Sequence, residues 1–382
     1  LSHKLKDYKL IKNLLFPPNE VLRYSRHIIL PEVGPKGQQK LRNSKVLIVG
    51  AGGLGSPVSL YLAAAGVGNI GLIDFDRVDL SNLQRQVIHT SNRVGELKVE
   101  SATKAINELN PHVKVDKITH ALDSSNAIDI IKNYDLVIDG TDNFPTRYLI
   151  NDACVKLGKP FVYGSIYRFE GHVSVFGIKN NPCYRCLFPE PPASGLAPSC
   201  SEAGVLGVLA GTIGTLQATE ALKLILGIGD SLAGYLLVYD ALNMQFKKLK
   251  AGSNKECSSC GENAKLDSLE QYAQECADDL YVTKNISPKE FIKWHNAKKP
   301  MQILDIREPH QQLLGTIEGS IDAQLGDLEK ILSNLDETIP CVVLCQRGAK
   351  SKQAIKELKE LKFKGKLLNL EGGMLDLAQE IV

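Results

Sequence analysis

The 382-residue sequence carries almost no net charge: 45 Lys and Arg stand against 43 Asp and Glu, giving +2 with His neutral. That excludes a generally basic protein that coats nucleic acid, while leaving room for a local phosphate pocket. Long apolar runs are missing. The longest, 205–216, is broken by Gly207, Gly211 and Gly214, whereas a spanning helix needs about 20 apolar residues. The first 20 residues have no apolar core ahead of Pro17-Pro18, so no secretory signal is read there. A soluble, cytoplasmic protein is expected, with neither a membrane nor a nucleic acid as partner. Nine cysteines are too few for a disulfide scaffold of this length, and their number is odd. No internal repeat or low-complexity tract is found.

What is present is an ordinary globular composition, 43% apolar and 23% charged. The length predicts two or three domains at roughly 100–200 residues each. A helical stretch over 19–30 carries Arg26. Residues 45–49 form a continuous apolar run, as for a buried parallel strand. Helices over 56–65, 98–110 and 125–133 alternate with strands over 70–73, 113–118 and 136–139. This βαβ patterning predicts an α/β, doubly wound sheet. Segments 161–163 and 171–176 alternate polar and apolar side chains and predict an antiparallel extension. A helix over 204–226 and a strand pair over 235–249 follow. Polar residues 261–279 read as a linker. Strands over 301–305 and 340–345, with helices over 287–296 and 351–361, predict a second, smaller α/β domain.

Gly50-Ala-Gly52-Gly53-Leu-Gly55 lies between a predicted strand and a helix. Glycines there let backbone approach a phosphate, and the helix start offers N–H donors. Asp74 ends the next strand, 24 residues after Gly50, placed for ribose hydroxyls. The segment beyond it speaks against a hydride-transfer site. Asp74, Asp76, Asp79, Asn82 and Arg85 crowd one loop, Lys98 opens a helix, and Asp139-Gly-Thr-Asp142-Asn143 ends another strand. Arg85 and Lys98 suit a triphosphate, and Asp142 suits Mg²⁺.

These motifs, in this order, resemble the MoeB/ThiF proteins, relatives of ubiquitin-activating enzymes, over residues 20–262. Such a resemblance implies a Rossmann-like fold and MgATP-dependent adenylation of the C-terminal glycine of a ubiquitin-like sulfur carrier (MoaD/ThiS-like, ending in Gly-Gly). It implies that Gly53, Asp74, Asp76, Ser81, Asn82, Leu83, Gln84, Arg85, Lys98, Asp142 and Asn143 line the ATP site. Asp142 is implied as the Mg²⁺ carboxylate. Arg26 matches an arginine that reaches the partner subunit's ATP site, which implies a homodimer.

Cys183-Tyr-Arg-Cys186 and Cys257-Ser-Ser-Cys260 are two C-x-x-C pairs with 70 residues between them. One pair alone would suit redox chemistry. Two pairs are more simply four thiolates for a tetrahedral structural Zn²⁺ that clips a long excursion shut. Cys200 lies between a Pro- and Ser-rich loop and a helix start, where a thiol can become nucleophilic. The resemblance adds that the family's corresponding cysteine can join covalently to the activated carrier.

Asp305-Ile-Arg307-Glu308 follows one strand, and Cys345-Gln-Arg347-Gly-Ala-Lys350-Ser351 follows another and opens a helix. Backbone N–H groups, Arg347 and Lys350 around Cys345 would stabilise a thiolate or persulfide. Cys341 is expected in the core. With Glu371-Gly-Gly373, these motifs resemble a rhodanese-like sulfurtransferase domain over 283–382. Thr316 and Lys350 depart from the usual His and Arg of such domains.

The expected organisation is an extension over 1–18, an adenylyltransferase domain over 19–262, a linker over 263–282 and a rhodanese-like domain over 283–382. Adenylation would be followed by sulfur transfer from a Cys345 persulfide, loaded by a cysteine desulfurase or other donor, to give a carrier thiocarboxylate. The product would serve molybdopterin or thiamine synthesis or tRNA thiolation. The rival readings are adenylation of a peptide or small acid, an ATP-binding scaffold with a degenerate second domain, and a NAD dehydrogenase.

Overall fold

The structure, a computed structural model, describes residues 15–191, 204–264, 266, 269 and 283–381. The chain falls into two compact units divided between residues 264 and 283.

The first unit is built on eight strands: β1 Lys45–Val49, β2 Asn69–Ile73, β3 Lys114–Ile118, β4 Leu136–Asp139, β5 Phe161–Tyr167, β6 Glu170–Phe176, β7 Tyr235–Asp240 and β8 Gln245–Lys250. Their order is β3-β2-β1-β4-β5-β6-β7-β8. Pairing is parallel from β3 to β5 and antiparallel beyond. The chain winds outward from β1 to β3 and returns beside β1 as β4. A crevice therefore opens at the carboxyl ends of β1 and β4. Val49 is level with Ile73 and with Asp139, so Gly50, Asp74 and Gly140 leave their strands side by side.

Helices α1 Pro18–Arg23, α2 Ser25–Ile28, α3 Gly34–Asn43, α4 Gly55–Ala65, α5 Lys98–Leu109, α6 Ala127–Ile131, α7 Phe144–Leu157, α8 Tyr184–Leu187 and α9 Gly207–Leu226 surround the sheet. Strand alternation sends Val46 and Ile48 to one face, where Val58, Leu62, Val99 and Ile213 cover them. It sends Leu47 and Val49 to the other, against Tyr148, Ile150 and Phe161.

The single helix expected over 19–30 is broken at Tyr24, whose φ of −98° and ψ of 10° end α1. The break turns the Tyr24 ring into the core, where its hydroxyl accepts from Asn110 Nδ2 at 2.9 Å. Helices α3 and α7 were not expected from the sequence. Gly34, Pro35 and Gly37 make α3 read as a loop. In α7, buried Arg147, Asn151 and Asp152 interrupt the apolar stripe.

The second unit is a five-stranded parallel sheet of β9 Asn285–Ile286, β10 Gln302–Asp305, β11 Ser320–Asp322, β12 Cys341–Leu344 and β13 Leu367–Leu370, in the order β11-β10-β12-β13-β9. Helices α10 Pro288–Asn296, α11 Pro309–Gln312, α12 Leu328–Ile331, α13 Ala349–Glu360 and α14 Gly373–Ile381 pack on it. Leu304, Val343 and Ile355 form one core layer, and Ile286, Val342, Leu344 and Leu370 the other. Strands β11 and β13 and helix α14 go beyond the sequence expectation. Among the described residues no helix is long and apolar enough to cross a membrane.

Candidate functional site

The glycine loop separates into two roles. Gly50 has φ +96°, and a Cβ there would lie 2.7 Å from the Gly140 carbonyl oxygen. At Gly55 a Cβ would lie 1.9 Å from the Gly50 oxygen. Both are glycines because backbone packs on backbone. At Gly52 and Gly53 the nearest atoms would be side chains, Gln86 at 3.6 Å in one case, Ala210 at 3.3 Å and Arg85 at 3.6 Å in the other. No backbone closes that space. Missing Cβ atoms here leave a cradle in which the loop's N–H groups can meet a ligand. Beside it, the side-chain oxygen of Gln86 is buried with no partner among the described residues.

Asp74 ties the loop down: its Oδ2 accepts from Ala51 N–H and its Oδ1 from Asp76 N–H, each at 2.9 Å. Burial pushes its carboxyl above the usual carboxylate range, against the opposing pull of Lys98. Lys98 Nζ donates to Asp76 Oδ2 at 2.8 Å. Arg85 donates to the Ser81 carbonyl at 3.3 Å, and Ser81 in turn is held by Asp79. Asn82 Nδ2 reaches Ser81 Oγ at 3.4 Å. Leu83 is half-buried and Gln84 exposed. A Cβ on Gly207 would meet Gln84 at 2.3 Å, which sets this loop against the start of α9.

At the end of β4, Asp139 is fully buried. It accepts from Thr141 N and Oγ1 at 3.0 and 2.6 Å and from Arg147 Nε at 3.0 Å. Arg147 also donates to the Thr141 carbonyl at 3.2 Å and lies over the Tyr163 ring. Burial works against its charge more than any one neighbour favours it, but Asp139, Tyr163 and Tyr184 together outweigh it and raise its pKa. The turn so braced leaves Asp142 exposed at the rim of the crevice. Asn143 caps α7 by accepting from Thr146 N–H at 2.9 Å, so its amide nitrogen remains for a ligand. Arg26 lies exposed on α2.

The sequence reading passed over three supports: Arg147, Gln217 and His89. Gln217 of α9 donates to the Asp139 carbonyl at 2.7 Å. His89 spans from Ser101 Oγ at 2.8 Å to the Ala51 carbonyl at 3.0 Å, bracing the glycine loop from below. Burial lowers its pKa, which keeps the ring neutral. Arg147 and His89 carry only the signal of position, just beyond the motif segments, and Gln217, within α9, carries none.

The four cysteines of the two C-x-x-C pairs come together, their sulfurs all within 4.8 Å of one another. Sγ separations are 3.9 Å for Cys183–Cys186, 3.5 Å for Cys183–Cys257 and 3.4 Å for Cys186–Cys260. Zn–S bonds of about 2.3 Å give a tetrahedron with edges of about 3.8 Å, so the donor set fits Zn²⁺. Cys257 is pulled down to about 5 by the Cys183 thiol that donates to it, then by backbone N–H groups. Asp152 of α7 joins the two knuckles. It pairs with Arg185 at 2.7 Å and accepts from Ser259 Oγ at 2.6 Å.

In the second unit, Cys345 directly follows β12 and is 3% exposed. Its Sγ accepts from Gly348 N–H at 3.0 Å and lies 3.4 Å from Ser351 Oγ. Gly348 turns at φ +92°, and a Cβ on Gly373 would strike the Cys345 carbonyl oxygen at 2.3 Å. Lys350 pairs with Glu308 at 3.2 Å, and buried Arg307 with Asp305 at 2.7 Å. Cys341 is in the core as expected, its thiol pushed up to about 12 by burial. Cys200 lies outside the described residues.

The ThiF family model matches residues 24–260 and the rhodanese-like domain model residues 287–380. The "probable adenylyltransferase/sulfurtransferase MoeZ" of Mycobacterium tuberculosis is 44% identical over 373 residues, covering 95% of this chain and 94% of that protein. The "adenylyltransferase and sulfurtransferase MOCS3-1" of Zea mays is 42% identical, over 91% of this chain and 79% of its own. A "sulfur carrier protein adenylyltransferase" of Thermus thermophilus is 53% identical over 67% of this chain and 97% of its own. Among solved structures, E. coli MccB with ATP has a TM-score of 0.55 at 24% identity, covering 63% of this chain and 73% of that one, a likeness of fold. With the crevice loops, the cysteine cluster and the Cys345 loop in place, the chain belongs to the ThiF family, as an adenylyltransferase joined to a rhodanese-like sulfurtransferase domain.

Proposed function

We propose that the chain uses MgATP to adenylate the C-terminal glycine of a ubiquitin-like sulfur carrier and then converts that terminus to a thiocarboxylate. The observation that carries this reading is the convergence of three loops at the ends of β1, β2 and β4. The open glycines Gly52 and Gly53, the Asp76–Lys98 pair and the Asp142 rim flank one crevice.

The carrier's carboxylate attacks the α-phosphorus of ATP and pyrophosphate leaves. A carboxylate is already a nucleophile, so positioning and charge neutralisation supply most of the rate. Asp74 and Asp76 sit where a ribose and its neighbours would lie. Arg85 and Lys98 offset phosphate charge, with Arg26 of a second copy completing the site in a homodimer. Ser81, Asn82, Leu83, Gln84 and Asn143 line the approach. Asp142 would hold Mg²⁺, which supplies charge neutralisation on the phosphates. Cys183, Cys186, Cys257 and Cys260 would hold a structural Zn²⁺ that closes the 70-residue excursion.

Residues 19–262 activate and residues 283–382 deliver sulfur, with 263–282 between. Cys345, charged as a persulfide by a cysteine desulfurase or similar donor, attacks the acyl carbon and AMP leaves. The resulting acyl disulfide is cleaved when a second thiolate, Cys200 or an external one, takes the Cys345 sulfur and releases the thiocarboxylate.

The test is ATP–pyrophosphate exchange with purified carriers ending in Gly-Gly. Exchange that depends on the carrier and its terminal glycine is expected. No exchange with any cognate carrier would overturn the activating role.

A further inference from the structure

Ser351 Oγ lies 3.4 Å from Cys345 Sγ, 2.6 Å from Asn369 Oδ1 and 2.9 Å from the Gly348 carbonyl oxygen. Ser351 is fully buried and Asn369 is 1% exposed. The other end of the Asn369 amide donates to Asn285 Oδ1 at 3.0 Å, and Asn285 stands at the surface. A buried row of polar groups thus runs from the cysteine to solvent.

A hydroxyl owns one proton. With that proton on Asn369, Ser351 offers Cys345 only a lone pair. This suits a thiol, whose S–H can donate to it. A thiolate or a persulfide anion needs donors instead, and Gly348 N–H supplies one at 3.0 Å. Ser351 can supply a second only by turning its proton to sulfur. That turn strands the Asn369 oxygen, at a cost of about 1–3 kcal/mol for a buried acceptor. Rotating the Asn369 amide by a half-turn removes the cost. Nδ2 then donates to Ser351 Oγ, and Oδ1 accepts from the Asn285 amide, which is free to turn at the surface. Both arrangements satisfy the same groups. No proton travels along the row; the cysteine proton leaves to solvent.

We propose that Asn369 is a positioning residue for Cys345, a rotating amide that lets the Ser351 hydroxyl accept from the thiol and donate to the anionic sulfur. Charged groups on the surrounding elements are Arg347 and Lys350 in the loop and helix after the cysteine, the Asp305–Arg307 pair at the end of β10, Glu308, Glu371 after β13 and Asp376 of α14. They are unchanged in every variant below, and the charge that Asn369→Asp or Asn285→Asp itself adds is subtracted by repeating each change without the Ser351 hydroxyl. Cys345 is the sulfur-bearing thiol of the function proposed above, but its titration is measured without any sulfur transfer, so the two readings fail separately.

The experiment is the pH dependence of Cys345 alkylation by iodoacetamide in the full chain, read by mass spectrometry of the Cys345 peptide. Asn369→Asp replaces the amide with an acceptor that pins the Ser351 proton. Its midpoint should rise by on the order of one pH unit, a tenfold loss of reactive sulfur below it. Ser351→Ala should rise comparably, Ser351→Thr should restore the profile, and Asn369→Asp added to Ser351→Ala should move it by less than Asn369→Asp moves the wild type, the remainder being direct repulsion from the new carboxylate. Asn285→Asp tests the outer end from the surface, where folding is not at stake. It should raise the midpoint by a smaller step that shrinks without the Ser351 hydroxyl. Midpoints unmoved by Asn285→Asp and Asn369→Asp, or moved equally with and without Ser351, would overturn the proposal. If Asn369→Asp does not fold, Asn285→Asp decides alone.

Discussion

Lys98 Nζ lies 2.8 Å from Asp76 Oδ2, an amine 8% exposed against a carboxylate 54% exposed. The lysine is the first residue of α5, where a cation opposes the helix dipole. A buried ammonium at the wrong end of a helix costs stability, and such local conflicts concentrate at functional positions. Lys98→Met should therefore leave the melting temperature unchanged or raised, while pyrophosphate exchange falls by about 10²–10³-fold. A variant that loses stability with its activity would make the lysine structural.

His89 gives the first unit a pH dependence whose sign is fixed. Burial lowers its folded pKa below the ordinary value of about 6.5. Above that value both states hold a neutral ring and nothing changes with pH. Below it the unfolded chain takes up a proton that the folded chain refuses. Stability then falls as pH falls, by up to about 1.4 kcal/mol per unit, until the folded pKa is reached. His89→Gln should flatten this slope between pH 7.5 and 5.5 in urea denaturation, at about those pH values. Parallel slopes for the two proteins would remove His89 from the account.

The cysteine cluster predicts a bound zinc whose loss unlocks two elements together. Cys257→Ser should abolish zinc in native mass spectra and lower the unfolding midpoint of the first unit. Asp152→Ala acts differently. It leaves the sulfurs in place but removes the carboxylate that pairs with the buried Arg185, at up to about 3–5 kcal/mol. Zinc retained with stability lost is the expected result. Equal loss of both would mean that Asp152 acts only through the metal.

The legible parts of the sequence are those where chemistry forces residue type at fixed spacing. Gly50 to Gly55 announce the crevice because backbone must meet backbone and ligand there, and the paired C-x-x-C spacing announces the metal site. The supports were not legible. Arg147 and Gln217 are polar residues that read as surface, and only the return of β4 beside β1 sets them against Asp139; His89 reads the same way until the glycine loop and α5 close on it. The same holds for Ser351 and Asn369, 18 residues apart and joined only when β13 lies next to β12. Helix α7 hid for a related reason. Its buried face is part polar, so apolar periodicity failed although Asn143 and Pro145 mark its start.

Arg26 decides whether the ATP site belongs to one chain or two. It is exposed on α2, near the exposed apolar side chains of Leu22, Ile29 and Leu30 in sequence. If it completes the crevice of a second copy, Arg26→Ala and Lys98→Met damage different halves of each site. Each variant alone should be inactive in pyrophosphate exchange. Mixed in equal amounts and allowed to exchange subunits, half of the dimers pair one variant with the other. Each such dimer holds one site with both an intact Lys98 and an intact Arg26. Activity should recover to about a quarter of the wild-type level, as expected for a two-fold dimer with sites shared across its interface. An Arg26 acting within its own chain gives no recovery at any ratio, since every site would then carry one of the two lesions.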